Sequence, residues 1–168
     1  SGDKSPHSKL LDRLRTVLAN LDAAARNTVC SLGASLHELG QIQREQNHAD
    51  CVAFYREALD LAELLALRSE AATAAFNLGR ALEDVPAVRD LDQAEQWYRR
   101  SLDLRDERDR VGRVRCHGQI GSVAFSRFRE TRAAGRPESE LLAALNAALA
   151  AYHQALALLP ADAVNDLA

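Results

Sequence analysis

The seven residues from Tyr55 to Leu61, YREALDL, return in the same frame as YRRSLDL from Tyr98 and as YHQALAL from Tyr152. Nothing else in the sequence restricts the fold so strongly, because self-similarity at a period of tens of residues signals stacked copies of one supersecondary unit. Four residues before each Tyr stands a small side chain: Cys51, Ala94 or Ala148. Three and four residues after it stand Ala58-Leu59, Ser101-Leu102 and Ala155-Leu156. Such spacing puts all of them on one helical face. Upstream of each phrase lies an apolar-Gly pair, Leu39-Gly40, Leu78-Gly79 or Ile120-Gly121. A glycine inside a helix costs about 1 kcal/mol against Ala, so three at matching places call for the close approach of a facing helix. The unit reads as a helical hairpin, with helix A carrying the Gly and helix B the Tyr. Cys51, Ala94 and Ala148 then receive side chains of helix A, and the Tyr and Leu residues wedge between hairpins.

Periodicity and breakers set the expected limits. A short helix from Lys9 to Asn20 is followed by helices from Asp22 to Gln46 and from His48 to Leu67. Ser69 to Asp84 follows with Ser69 as its cap. Val85-Pro86-Ala87-Val88 breaks the chain, since the residue before a Pro avoids the helical region. Further helices are expected over Asp90 to Glu107, Asp109 to Ala134 and Pro137 to Leu159, with Gly135-Arg136-Pro137 as a stop and restart. The Gly-to-Tyr spacing is 15, 19 and 31 residues in the three copies, so the third hairpin carries an insertion. Phe125, Phe128, Leu141, Leu142 and Leu145 give that insertion enough apolar surface to form a long arm, which packs on itself, caps the groove or offers a dimer contact.

With 47% apolar and 27% charged residues, the chain can bury a core. Its net charge of -3 argues against nucleic acid or an anionic membrane recognised through bulk charge. Cys30, Cys51 and Cys116 are few and far apart, which suits free thiols in a reducing compartment and a cytoplasmic protein. No apolar run approaches the roughly 18 residues of a membrane span. There is no Met, and residues 1–8 read as a disordered tag or linker. Lys4 and Lys9 are the two lysines against 19 arginines, and alanine is abundant, a bias that hints at a GC-rich genome.

The pattern L-G-x2-[large], then A-x3-[aromatic]-x2-A-L, then a Pro at Pro160, resembles the tetratricopeptide repeat (TPR) family. The resemblance implies an all-α, right-handed α-solenoid of antiparallel helical hairpins. It implies a single domain over 9–168: a degenerate helix at 9–21, repeats at 22–67, 69–107 and 109–160, and the start of a truncated further helix at 161–168. Departures are clear. The tryptophan common near the start of helix A is missing, Gln43 and Ala124 replace the large residue after Gly40 and Gly121, and the repeats exceed the usual length of about 34 residues. In that respect the chain is similar to the longer repeats of the kinesin light chain or of bacterial signalling proteins.

Family arrays work through a concave groove lined by helices A. Carried over by distance from each Gly, its positions are Ala34, His37, Gln41 and Arg44; then Thr73, Phe76, Arg80 and Glu83; then Arg115, Gly118, Ser122 and Phe125. The carboxylate clamp of cochaperone members falls on His37, Gln41, Asn77, Arg115 and Gln119, of which Asn77 agrees and Arg115 stays basic. The resemblance therefore implies a noncatalytic module binding a peptide or partner domain, with Arg44, Arg80 and Arg115 on a carboxylate and Phe76 and Phe125 against an apolar anchor. The alternatives are a structural or homo-oligomerising segment, or the sensor region of a bacterial signalling or defence protein joined to a protease or nucleotide-switch domain.

Other chemistry is weakly marked. Cys51 stands at a packing position, and Cys116 and His117 diverge by about 100° on a helix, so neither metal binding nor thiol catalysis is expected and no cofactor is called for. The run Arg105 to Arg115 interleaves its arginines with Asp106, Glu107 and Asp109, which suits ion pairs more than nucleic acid.

Overall fold

Acidic residues at two helix starts set the register of the second half of the chain. Asp90 accepts hydrogen bonds from the backbone N–H groups of Asp92 (3.0 Å) and Gln93 (2.9 Å), and the Gln93 side chain donates to it as well. Asp109 accepts from Gly112 N–H at 2.9 Å and pairs with Arg105 at 2.6 Å. Each satisfies a donor that the first helical turn leaves open. Hydrogen bonds to the ionised form, led by Gln93 N–H at Asp90 and Gly112 N–H at Asp109, hold both carboxyls below their usual values. A lowered folded pKa contributes stability above the unfolded value near 4, and that contribution fades as pH falls through the folded value. The double variant Asp90→Ala, Asp109→Ala is expected to melt below the parent at neutral pH, with the gap closing as the pH falls below about 4. A gap that stays constant in thermal melts as the pH is lowered from neutral to well below about 4 would exclude the caps.

The computed structural model describes residues 13–17 and 23–159. Residues 13–17 are helical, within the helix expected near the start. Then come α1 (Ala23–Glu45), α2 (Cys51–Leu64), α3 (Arg68–Asp84), a 3-10 turn at Pro86–Val88, α4 (Leu91–Leu104), α5 (Arg110–Ala133) and α6 (Glu138–Ala157). The described residues are helical with no strand. Each helix packs chiefly on its chain neighbours, most extensively α1 on α2, α3 on α4 and α5 on α6, and α1 also touches α3. The tag at 1–8 and the last helix at 161–168 lie outside the described residues, as does Pro160.

Helix limits differ from the sequence expectation at several places, among them the start of α2 at Cys51 and the end of α6 at Ala157, and three of the differences have a clear local cause. Ser69 does not cap α3. The helix begins at Arg68 with Leu67 at the cap and no side-chain bond there, and Ala71 N–H already donates to Leu67 C=O at 2.9 Å. Arg68 instead donates to the Leu104 and Asp103 carbonyls, both at 2.8 Å, which joins the start of α3 to the end of α4. Second, α2 stops three residues early because Ala66 turns left-handed (φ 57°), and Leu67 N–H closes back on Ala62 C=O. Asn47 (φ 60°) and Gly135 (φ 64°) end α1 and α5 in the same way. Third, α4 ends at Leu104, since Arg105 is extended.

The recurring glycines are explained by the recurring tyrosines. A Cβ on Gly40, Gly79 or Gly121 would stand 2.6 to 2.7 Å from a ring carbon of Tyr55, Tyr98 or Tyr152 respectively. Each ring therefore lies on the glycine of its own pair, and Tyr55 also clusters with Leu78 of the next pair and Tyr98 with Ile120, so these two rings stand at the seams between pairs as expected. Cys51, Ala94 and Ala148 are buried as expected. The added length of the third copy goes into regular helix: α5 has 24 residues and α6 has 20, yet Gly121 still meets Tyr152. Phe125 and Phe128 stack at 5.7 Å within α5. Two core clusters result, one around Tyr55, Leu59 and Leu78, the other around Tyr98, Ile120 and Val123. Val88 and Trp97 pack against both.

Candidate functional site

Helices α1, α3 and α5 carry the residues expected to form the groove, and they exchange side-chain contacts at a separation of 39 or 40 residues. Asn77 Nδ2 donates to His37 Nε2 at 3.1 Å, and Arg44 Nη1 donates to Asp84 at 2.9 Å. One step along, Ser122 Oγ donates to Glu83 at 2.7 Å, and the Arg115 guanidinium lies 5.1 Å over the Phe76 ring. Arg80 approaches Asp84 at 3.6 Å, and Gln41 donates to Glu45 at 3.1 Å one turn away. These contacts occupy most of the charged groups reserved for a ligand. Arg44 and Arg80 share Asp84, and the other oxygen of Glu83 accepts from the Tyr98 hydroxyl at 2.8 Å.

Phe76 is a correction to the expected anchor set: it is buried, with its ring centroid 5.4 Å from that of Tyr98. His37, at the equivalent place on α1, meets Tyr55 edge-on at 5.8 Å. The position three before the glycine thus belongs to the aromatic packing of the first two pairs, whereas in the third it is Gly118. Phe125 is exposed and Gln119 and Ser122 are half-buried on α5, away from the α1 residues.

What the structure does gather is a cleft of about 390 Å³ between the first half of α1, the end of α2 and the start of α3. Three expected groove residues line it, Ala34, His37 and Thr73. Its floor is apolar, from Ala58, Leu61, Ala62, Leu65 and Ala74, while Glu38 and Glu70 are the acidic residues of its lining. Gly33 also lines it, and no described atom lies within 4 Å of where its Cβ would stand. Reading by distance from the glycines missed Leu61 and Leu65, because they lie on a helix B. Their signal was the continuation of the YREALDL face beyond Leu59.

The cysteines and histidines are placed by packing. Cys51 is buried, and desolvation pushes its thiol pKa up. Cys116 is buried, with Sγ 3.4 Å from Ser101 Oγ, and Ser101 in turn donates to Ala72 C=O at 2.7 Å. His48 Nδ1 lies 2.8 Å from Gln43 Oε1 at the end of α1. Burial, with Arg113 nearby, lowers the pKa of His117. A second hollow, about 270 Å³, lies among α4, α5 and α6, and it is lined by Glu95, Arg99, Arg127 and His117 among others. Burial works to raise the Glu95 pKa, but hydrogen bonds from Arg127 and Arg99 prevail and hold it low. Arg127 is also paired with Asp92 at 2.7 Å. Among the described residues no group of His, Cys, Asp and Glu is arranged to hold a metal ion, and no helix is long and apolar enough to cross a membrane. Neither a protein-family model nor a curated protein matches the chain.

Proposed function

We propose that the chain is a noncatalytic protein-interaction module, a right-handed solenoid of TPR-like helical hairpins. Its α1–α3 cleft takes an apolar side chain from a partner segment. The observation that carries this reading is the coincidence of Ala34, His37 and Thr73, at groove positions of the repeat, with the lining of a cleft whose floor is aliphatic. The partner differs in charge from the one the arginines first suggest. Arg44 and Arg80 are engaged by Asp84 and Arg115 by Phe76, whereas Glu38 and Glu70 lie in the cleft. An apolar anchor beside a Lys or Arg fits these groups best.

Panning a displayed library of random peptides on the chain tests the reading. Enriched peptides are expected to share a bulky apolar residue next to a basic one. Gly33→Phe starts from a Cβ position with no described atom within 4 Å, places an aromatic side chain at the cleft, and is expected to weaken them at least about tenfold, which equals about 1.4 kcal/mol and is less than the full value of one buried side chain. Circular dichroism confirms that the variant folds. Peptides that bind Gly33→Phe as well as the parent, or that enrich for acidic residues, would sink the proposal.

A further inference from the structure

The apolar residues left exposed on the first and last described full helices, α1 and α6, match positions that are buried inside. On α1, Leu39 stands one residue before Gly40 and is 44% exposed, while its counterparts Leu78 and Ile120 are 0% and 8% exposed. Ile42, two residues after Gly40, is 48% exposed, and its counterparts Ala81 and Val123 are both fully buried. On α6, Tyr152 is 37% exposed where Tyr55 and Tyr98 are fully buried, and Leu156 is 49% exposed where Leu59 is 5%.

The interior shows what covers such residues. Tyr55 and Leu59 of α2 cluster with Leu78 and Ala81 of α3. Tyr98 of α4 clusters with Ile120 and Val123 of α5. In both cases the Tyr face of one helix is closed by the residues just before and two after the next glycine. The α6 face offers Tyr152 and Leu156, and the α1 face offers Leu39 and Ile42, so the two open faces are the two halves of the contact made twice inside. We infer that the α6 face of one copy receives the α1 face of a second copy, continuing the α2–α3 and α4–α5 packings from one molecule to the next. The contact is head-to-tail, so it leaves one open face at each end and adds further copies. Stacked repeats bury such faces in a continuous core, and a polar outer face at each end is what normally stops the stacking. The inference rests on the packing of the helix pairs and is independent of the cleft.

Sedimentation of the chain tests it. The mean mass is expected to rise past that of a dimer between micromolar and roughly millimolar concentration. Leu39→Glu with Ile42→Glu removes the α1 face, and Leu156→Glu removes the α6 face. Each variant alone is expected to stay monomeric with a parent-like circular dichroism spectrum, because the changed residues are exposed. An equimolar mixture of the two is expected to form a dimer and no larger species, since only one intact face of each kind remains. A parent chain that is monomeric at every concentration overturns the inference; this is also the result if terminal segments of the same chain cover the faces. A single-face variant that still dimerises overturns it in favour of symmetric pairing.

Discussion

Replacing Tyr98 with Ala is expected to lower the free energy of unfolding by about 4 kcal/mol, as for other large aromatic side chains removed from a core. The ring is fully buried between Gly79 and Phe76, and its hydroxyl donates to Glu83 at 2.8 Å. Burial, with the Glu83 charge beside it, raises the hydroxyl pKa well above that of a free tyrosine, so the donor is permanent. A smaller change separates the ring from its hydroxyl. Tyr98→Phe is expected to cost about 1–2 kcal/mol, because Glu83 loses one of two donors. At the equivalent Tyr55, burial also raises the pKa, with Arg44 opposing the shift. There, no partner meets full hydrogen-bond geometry at the buried hydroxyl, although the Arg44 guanidinium lies near enough to oppose the shift. Tyr55→Phe is therefore expected to be neutral or to stabilise by up to about 1 kcal/mol. Urea denaturation of the three variants decides it, and equal losses for the two Phe substitutions would contradict the assignment of the Glu83 bond.

A methyl group on Gly79 is expected to destabilise the chain by about 2 kcal/mol although alanine is the better helix former. The added carbon would fall 2.7 Å from two Tyr98 ring carbons, and that ring is held by Phe76 and Glu83 and cannot retreat. Gly33→Ala and Gly118→Ala, which meet no described atom within 4 Å, are expected to gain about 0.5–1 kcal/mol instead. Gly121→Ala should fall between them, because the Tyr152 ring is partly exposed and can swing outward. Melting all four variants tests whether ring contact or helix propensity governs the repeated glycines. A gain at Gly79 would remove the contact as the reason for its recurrence.

The sequence made the pairing of helices readable where two residues at matching places touch each other. Gly40 with Tyr55, Gly79 with Tyr98 and Gly121 with Tyr152 recur in the text because they meet in space. Asp90 and Asp109 were legible as helix starts, since a carboxylate there satisfies local backbone donors. Ala66 was not legible as a helix end, because alanine carries no preference for the left-handed turn it adopts. In the candidate site the limit was different. Distance from a glycine specifies which face of a helix a residue occupies, but not whether the partner helix covers that face. Phe76 was thus expected at the surface and lies under Arg115 against Tyr98. The engagement of Arg44 by Asp84, 40 residues away, likewise depends on how α1 and α3 lie side by side.

Trp97 packs against both core clusters and is the single tryptophan of the chain. Its emission is consequently a built-in gauge of cooperativity. If the clusters melt as one body, the fluorescence trace and the loss of helical ellipticity superimpose; if either lets go first, the indole reports the parting of the seam before the helices themselves are lost.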